Sequence, residues 1–269
     1  MNNDQLDMFQ NMLLNERSFD KLFCDVSSTN RFDVYYNRSF SDDPVFNHVV
    51  IDDSILGSID ELDRDSLSVL LYEIKSEASA KNVPPTVFVE KFWKIAQRLE
   101  RAAIEDGYLI AGLMQILSKQ VDAVSNSKEK QAEVIETKNF ALWNEVFMRS
   151  YSLSPAWESE LLRRERVFSN DRSTTLLLAR ESNSGPAASG CMLLHRIPND
   201  FLGVYCVGTL PQSRHRGIAS SMMRKAEDVA ASIGCKYLTL QTLANDGVTP
   251  LYQNLGFEID FERTVLQLP

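Results

Sequence analysis

A six-residue stretch decides the fold of this chain: Arg214-His215-Arg216-Gly217-Ile218-Ala219. It follows an apolar, strand-like run at residues 201–210 and opens a helical pattern that ends near Gly234. A strand that turns directly into a helix presents a row of backbone N–H groups at the helix N-terminus, which makes a ready anion site. The two small residues of the turn let a ligand approach the backbone closely, and two arginines flank them. The stretch therefore suits a pyrophosphate.

The composition is that of a globular protein and argues against a nucleic-acid or membrane partner. Of the 269 residues, 44% are apolar and 24% are charged, which is enough to bury a real core. The net charge of -9 and the isoelectric point near 5.0 disfavour binding to nucleic acid or to an anionic membrane surface. No run approaches the roughly 18 apolar residues that span a bilayer. An acidic surface attracts a cationic amine mildly, but it also serves solubility alone.

The cysteines and histidines predict neither a disulfide framework nor a metal site. The four cysteines, at positions 24, 191, 206 and 235, lack CxxC or zinc-ligand spacing and are expected to be reduced. The three histidines, at positions 48, 195 and 215, form no paired ligand set, so no metal is expected. Residues 1–16 are acidic and Asn-rich, unlike a signal or transit peptide. We therefore expect a cytoplasmic protein.

A polar segment at residues 119–130, without aromatic residues, is the best candidate for a domain boundary. We expect an α/β domain at residues 1–125 and a fuller α/β domain at residues 126–269. In the first domain the pattern predicts strands at 32–37, 46–51, 86–91 and 107–110 and helices at 63–81 and 92–105. In the second it predicts strands at 132–137, 174–180, 188–195, 201–209, 237–242, 257–260 and 264–268, helices at 140–151, 156–167, 217–233 and 249–255, and a turn at 182–186.

The second domain resembles the GNAT superfamily of acyl-CoA N-acyltransferases over roughly residues 130–269. Three linked motifs, in the family's order, carry the resemblance. They are the pyrophosphate loop Q/R-x-x-G-x-G/A at Arg214-x-x-Gly217-x-Ala219, the spacing of Asn245 seven residues before Tyr252 as in the element N-x-x-A-x-x-L-Y, and the ending L-Y-x-x-x-G-F-E at residues 251–258. The dinucleotide fingerprint G-x-G-x-x-G and the nucleotide loop ending in G-K-[ST] are both missing from the sequence. The resemblance implies a mixed α/β sheet of the GNAT type, preceded by a smaller α/β domain.

The resemblance also implies that acetyl-CoA is the co-substrate and that the loop holds its pyrophosphate. The pyrophosphate would contact the backbone N–H groups of His215, Arg216, Gly217, Ile218, Ala219 and Ser220. The side chains of Arg214 and Arg216 would add charge-assisted hydrogen bonds.

The pantetheine arm of CoA would run beside the strand Val207-Gly208-Thr209. The backbone N–H near Val207 would polarise the thioester carbonyl. Gly208 removes a side chain where the pantetheine would lie close, and it can equally mark a bulge. The two roles are compatible, since a bulge would open the cleft. Asn245 would bond the pantetheine or brace the loop, or it simply forms the turn that continues into Asp246 and Gly247.

Tyr252 is the residue that the resemblance implies as general acid, because a phenol within reach can protonate the departing CoA thiolate. The alternative is a tyrosine packed in the core. The general base is open: many relatives carry a carboxylate on the strand before Asn245, but here residues 238–242 read Leu-Thr-Leu-Gln-Thr. Glu145, Glu158 or a chain of waters are the alternatives, whereas His195 lies at the far end of a hairpin.

Three functions fit these features. The first is transfer of an acetyl group from acetyl-CoA to a primary amine, by direct attack in a ternary complex. The second is a catalytically silent acyl-CoA-binding sensor or scaffold, which the missing strand carboxylate favours, and a third is an interaction protein without a ligand. The strand–helix–strand pattern of residues 86–110 makes the first half either a degenerate second copy of the fold or an unrelated α/β domain. The sequence specifies neither the acceptor amine nor the oligomeric state.

Overall fold

The computed structural model describes residues 2–41, 43–52, 63–121, 132–181 and 187–269. Helices α1 to α7 have the bounds Asn3–Phe23, Arg64–Ala80, Ala96–Glu105, Phe140–Tyr151, Pro155–Asn170, Ile218–Ser232 and Thr249–Asn254. Strands β1 to β11 have the bounds Asp25–Ser28, Phe32–Tyr36, His48–Ile51, Thr86–Glu90, Leu109–Gln120, Ala132–Thr137, Thr174–Glu181, Ala188–Arg196, Phe201–Thr209, Tyr237–Leu243 and Glu258–Gln267. The expected mixed α/β class is confirmed. The predicted turn at 182–186 lies outside the described residues.

The chain divides into two compact units, neither of which is contiguous in sequence. Unit 1 contains Met1–Leu22, Leu117–Leu240 and Pro250–Glu258. Unit 2 contains Phe23–Ile116, Gln241–Thr249 and Ile259–Pro269. Most of α1 therefore completes the unit that carries the 214–219 stretch, and most of β11 completes the other. The boundary expected near residue 125 lies outside the described residues and stays a prediction.

In unit 1 the strands follow the order β6-β7-β8-β9-β10. Neighbours are antiparallel from β6 to β9, whereas β9 and β10 are parallel and are connected through α6. Helices α4 and α6 cover opposite faces of this sheet. A Cβ added at Gly190 of β8 would meet Met222 of α6, whereas a Cβ at Gly208 would meet both Ser150 of α4 and the Cys191 thiol. Successive residues of a strand point to opposite faces, so positions 190 and 191 identify the two sides.

The coverage of both faces explains the local sequence. Residues 176–179 of β7 read Leu-Leu-Leu-Ala, and all four are buried, as expected for a strand that is covered on both sides. The predicted end of α6 is also confirmed. Gly234 adopts a φ of +74°, and the next N–H, that of Cys235, donates to the carbonyl of Ala230 at 2.9 Å, so the glycine closes the helix with a left-handed residue.

Helix α1, which the sequence pattern did not predict, packs on the β8–β9 hairpin of unit 1. Asn15 is fully buried, its amide donates to the carbonyl of His195 at 3.2 Å, and it accepts from the Tyr205 hydroxyl at 2.9 Å. Phe19 stacks on the Tyr205 ring with centroids 3.7 Å apart. These buried polar contacts fix α1 against the hairpin, since an unpaired buried amide is costly.

In unit 2 the strands follow the order β1-β2-β3-β4-β11-β5. β3 and β4 are parallel and joined through α2, and β11 is antiparallel to β4. The sequence predicts two strands at 257–260 and 264–268, but the structure has the single strand β11. The polar residues that interrupt the apolar pattern are accommodated by a buried ion pair. Arg263 donates to Glu90 at 2.8 Å and lies 4.5 Å from the centroid of the Phe88 ring.

Candidate functional site

The 214–219 stretch forms a tight turn that leads into α6. Gly217 is the N-cap with φ 72° and ψ 14°, and His215 also has a positive φ of 61°. Glycine adopts this left-handed region without steric cost. The N-cap has no side-chain hydrogen bond, and the carbonyl of Gly217 accepts the first helical bond from the N–H of Ser221 at 2.9 Å. The N–H groups of the first turn therefore have no partner within the helix, and they form the positive end of its dipole.

The two arginines of the stretch brace the loop. Arg214 donates to the carbonyls of Ser150, at 2.8 Å, and Thr209, at 3.3 Å. It thereby ties the turn to the last turn of α4 and to the end of β9. Arg216 pairs with Glu181 at 2.8 Å, although its side chain is 58% exposed. The structure thus engages both guanidinium groups with protein oxygens, so an anion at this loop would be held mainly by the backbone N–H groups.

Strand β9 carries a bulge at Cys206 and Val207, the second of which is the first residue expected beside the pantetheine. Its register with β8 runs from Leu193↔Tyr205 to Cys191↔Gly208, so two residues of β9 oppose one residue of β8. Cys206, inside the bulge, has a φ of +53°, a left-handed conformation that costs a non-glycine residue energy. The carbonyl of the single opposing residue, Met192, accepts a 3.0 Å bond from the indole N–H of the buried Trp143. Helix α4 therefore satisfies the backbone group that the bulge displaces.

The hydrogen bonds around the bulge fix the direction of the Val207 backbone. The Cys191 thiol donates to the carbonyl of Cys206 at 3.6 Å, and the N–H of Gly208 is bonded to the same thiol. The N–H and C=O of a trans peptide point in opposite directions, and no described peptide bond is cis. The N–H and the C=O of Val207 therefore both point away from Cys191. The register of β9 with β10 ends at Gly203↔Thr239, which leaves this edge outside the β9–β10 ladder.

Gly208 and Thr209, the two residues after Val207, contact helix α4 and the 214–219 loop, respectively. A Cβ at Gly208 would lie 2.7 Å from the Cβ of Ser150, so the glycine lets α4 approach β9. The bulge itself lies at Cys206 and Val207, directly before Gly208. The space that a side chain at Gly208 would occupy is next to Ser150 of α4. Thr209 pairs with Gly190 of β8, and its carbonyl accepts from Arg214.

Tyr252 lies on the short helix α7 in unit 1 and is 8% exposed. Its ring packs edge-on against Phe257, with centroids 6.0 Å apart. Burial raises the pKa of Tyr252 to about 12, because the charged phenolate loses hydration. The hydroxyl therefore stays protonated at neutral pH and can donate a hydrogen bond or a proton. The structure records no hydrogen-bond partner for this hydroxyl among the described residues.

Asn245 lies in the exposed turn after β10, and this turn belongs to unit 2. Asp246 donates its N–H to the carbonyl of Leu243 at 3.1 Å, and Gly247 has a φ of +68°. These features are those of a turn former. The loop at 214–219 and Tyr252 belong to unit 1, and the role of Asn245 toward CoA stays a prediction.

The candidate bases differ sharply in their surroundings. Glu145 pairs with Arg149 at 2.9 Å on a surface where both side chains are more than half exposed, and Glu158 is exposed as well. His195 is buried between the Ser18 and Thr174 hydroxyls, and this burial lowers its pKa. It therefore supports the packing of α1 and cannot reach a substrate.

Among the described residues no cluster of three or more His, Cys, Asp or Glu side chains could hold a metal.

Unit 2 has the same strand–helix–parallel strand arrangement as unit 1, but a carboxylate occupies the start of its helix. The N-cap of α2 is Asp63, whose side chain accepts from the N–H of Ser66 at 2.9 Å. This hydrogen bond is the main cause that lowers the pKa of Asp63, so the side chain is negative at neutral pH. Asp65 adds a second acid in the first turn. A pyrophosphate is disfavoured at this helix end.

Sequence reasoning missed the residues of α4 that shape the site. Trp143, Ser150 and Tyr151 contact the bulge or the loop, and the Tyr151 hydroxyl donates to the carbonyl of Val207 at 2.9 Å. The helical spacing marks Trp143 as a core residue, but nothing in the local sequence indicates its backbone partner on β8.

A search of the described residues for a membrane span finds none, because no helix there combines the necessary length with sufficient hydropathy.

The bulged strand, the glycine-started helix and the parallel strand that follows it agree with the GNAT-type fold that the sequence motifs predict. Residues 139–257 match the model of the acetyltransferase (GNAT) family. The chain therefore carries a GNAT acetyltransferase domain over these residues, and the family indicates an N-acetyltransferase-type enzyme. None of the curated proteins matches the chain.

Solved structures share the fold over most of the chain. A GCN5-related N-acetyltransferase from Kribbella flavida is 13% identical with a TM-score of 0.69, over 96% of this chain and 95% of that one. A GCN5-related N-acetyltransferase from Sphaerobacter thermophilus is 14% identical with a TM-score of 0.63, over 90% and 81%. A tandem GNAT protein from the clavulanic acid biosynthesis pathway is 12% identical with a TM-score of 0.53, over 72% and 66%. Likenesses at this identity show the fold alone, and the expected GNAT-type fold is confirmed.

Proposed function

We propose that this protein transfers an acetyl group from acetyl-CoA to a primary amine by direct attack in a ternary complex. The observation that carries the proposal is the open edge of β9. Val207 turns its N–H away from the Cys191 thiol, a short distance along the chain before a helix N-terminus whose N-cap makes no side-chain hydrogen bond. One element binds the anionic end of the donor, and the other donates a hydrogen bond to the thioester oxygen.

In the proposed reaction the amine nitrogen attacks the thioester carbon and the C–S bond breaks. The sulfur leaves as a thiolate, and the proton lost by the nitrogen passes to water. In this proposal Tyr252 serves the leaving sulfur as hydrogen-bond donor. Its pKa of about 12 exceeds that of an aqueous thiol, about 8.5. Proton transfer to a solvated thiolate would therefore be uphill, and Tyr252 acts by stabilising a desolvated sulfur as it departs.

The second candidate is a catalytically silent acyl-CoA-binding protein. The observation that favours it is the strand β10, which has no carboxylate in its sequence Tyr237–Leu243. A direct attack in a ternary complex needs no enzyme nucleophile, and bulk water can accept the proton. For this reason the enzyme remains the preferred proposal, and a cytoplasmic location remains a prediction.

The experiment that separates the two candidates is thiol release from acetyl-CoA in the presence of a panel of primary amines, together with calorimetry of CoA binding. We expect amine-dependent release with the wild-type chain. Tight CoA binding without release for any amine would favour the silent protein. The absence of CoA binding would contradict both proposals.

A further inference from the structure

Arg224 on α6 carries a positive charge that no acid of the described residues neutralises. Its Nη2 donates to the Ser221 hydroxyl at 3.1 Å. Its Nε is buried and meets no acceptor among the described residues, although the side chain as a whole is only partly buried. A guanidinium has five N–H donors, and a buried donor without an acceptor is costly. The protein alone therefore leaves this cation incompletely bonded, and an anion would complete its hydrogen bonds.

The guanidinium lies at the first turn of α6, next to the loop that is proposed to hold the pyrophosphate. The N–H of Ser221 donates to the carbonyl of Gly217 at 2.9 Å, and the hydroxyl of Ser221 accepts from Arg224. Ser221 thus connects the guanidinium to the N-cap residue. Helical side chains lean toward the N-terminus, and Arg224 bonds Ser221 rather than Asp228, which lies four residues later on the same helix face. The charge is therefore directed to the anion-binding end of the helix.

The two arginines of the 214–219 stretch are bonded to the protein. Arg214 donates to the carbonyls of Ser150 and Thr209, and Arg216 pairs with Glu181. The recorded partner of Arg224 is a neutral hydroxyl. Of these three arginines, Arg224 is therefore the one best able to bind a further phosphate.

We propose that Arg224 binds the 3′-phosphate of CoA and thereby selects CoA over dephospho-CoA. One ribose separates this phosphate from the pyrophosphate, and one turn of an α-helix rises about 5.4 Å. A ligand whose pyrophosphate contacts the N–H groups after Gly217 can therefore reach the guanidinium with its second phosphate. Arg224 supplies charge-assisted hydrogen bonds to the phosphate oxygens. This inference rests on the proposed binding of CoA at the 214–219 loop and adds a residue that distinguishes between donors.

The test measures the Kd of CoA and the Kd of dephospho-CoA by calorimetry with the full chain. Dephospho-CoA lacks only the 3′-phosphate, so the ratio of the two Kd values reports the contact with that group. Arg224→Gln removes the charge and keeps a polar side chain. Lys225→Gln removes the same charge from the next residue, which points about 100° away around the helix, and it is the matched control. Thermal unfolding of each variant checks that the fold is retained.

We expect the wild type to bind CoA at least about tenfold more tightly than dephospho-CoA, and Arg224→Gln to reduce this ratio to about two. The Kd of dephospho-CoA should stay within about twofold of wild type in Arg224→Gln, and Lys225→Gln should keep the wild-type ratio.

Four results would overturn the inference. They are a ratio near one in the wild type, an unchanged ratio in Arg224→Gln, an equal weakening of both ligands in that variant, and an equal loss of the ratio in Lys225→Gln. The third would mean that Arg224 acts on the pyrophosphate or on the helix itself, and the fourth that net charge alone is measured. If the wild type binds neither ligand, the proposed CoA site itself fails, and the inference fails with it.

Discussion

Replacement of Gly217 by glutamate should abolish CoA binding, and it should lower the stability of the fold no more than the same replacement at Gly234. The residue is the N-cap of α6, where the pyrophosphate is proposed to contact the first N–H groups. At about 5 Å and an effective dielectric constant near 20, two unit charges repel by about 3 kcal/mol. Because about 1.4 kcal/mol is a factor of ten in Kd, we expect CoA binding to weaken by at least about 100-fold.

The change also strains the backbone, so a matched control is needed. Gly217 has a φ of +72°, and a non-glycine residue in this region costs roughly 1–2 kcal/mol. Gly234, at the other end of α6, has a φ of +74°, and an added Cβ would meet no atom within 4 Å. Gly234→Glu therefore carries the same strain and the same charge far from the loop.

The assay is calorimetric titration of each variant with CoA, together with thermal unfolding. Both variants should unfold at similarly reduced temperatures, and only Gly217→Glu should lose CoA binding. Unchanged affinity in Gly217→Glu would refute the assignment of the loop. Equal loss of binding in both variants would show that strain in α6, and not charge at its N-terminus, controls the site.

Four further outcomes are expected. Tyr252→Phe should lower kcat by about 10- to 100-fold with little change in CoA Kd, and the wild-type rate should show no loss from Tyr252 ionisation below about pH 11, because its pKa is raised to about 12. Burial lowers the pKa of His195 below 6.5, so the unfolded chain binds more protons at this residue and stability falls as the pH is lowered. His195→Gln should therefore make the melting temperature less dependent on pH between about pH 7.5 and 5.5. Gly208→Ala should cost about 1–3 kcal/mol in denaturant unfolding, and Ser150→Gly should restore much of it, because the two Cβ positions are 2.7 Å apart. Calorimetry of the wild type should give one CoA per chain, since Asp63 closes the helix end in unit 2; a value near two would contradict this.

The sequence predicts those parts of the site that depend on local backbone chemistry. Gly217 and Gly234 bound α6 because only a left-handed residue fits each end, and the spacing of apolar residues between them sets the helix. The order of strands and helices in unit 1 follows from the same signals. Helix α1 was missed because its pattern is partly polar. Its buried residue Asn15 is stabilised by partners on β8 and β9 that are distant in sequence.

The assignment of strands to units depends on pairing, which a pattern of apolar residues does not encode. The pattern of β11 indicates a strand but not its neighbours, which are β4 and β5 of unit 2. The polar residue Arg263 suggests a break in the strand until its buried partner Glu90 is known. Tertiary partners also decide the roles of Arg214 and Arg216. Their motif implies that both side chains bind phosphate, whereas in the structure both donate to protein oxygens.

The bulge in β9 shows why the reactive centre is the part least visible in the sequence. Its left-handed residue is Cys206, where a glycine would have been the local signal. The conformation is fixed instead by contacts from elsewhere: Trp143 bonds the displaced carbonyl of Met192, and Tyr151 bonds Val207. Helix α4 thus holds strand β9 in its bulged form. Substitutions in α4 are therefore expected to act on the thioester end of the proposed donor site, whereas substitutions at Gly217 should act on its pyrophosphate end.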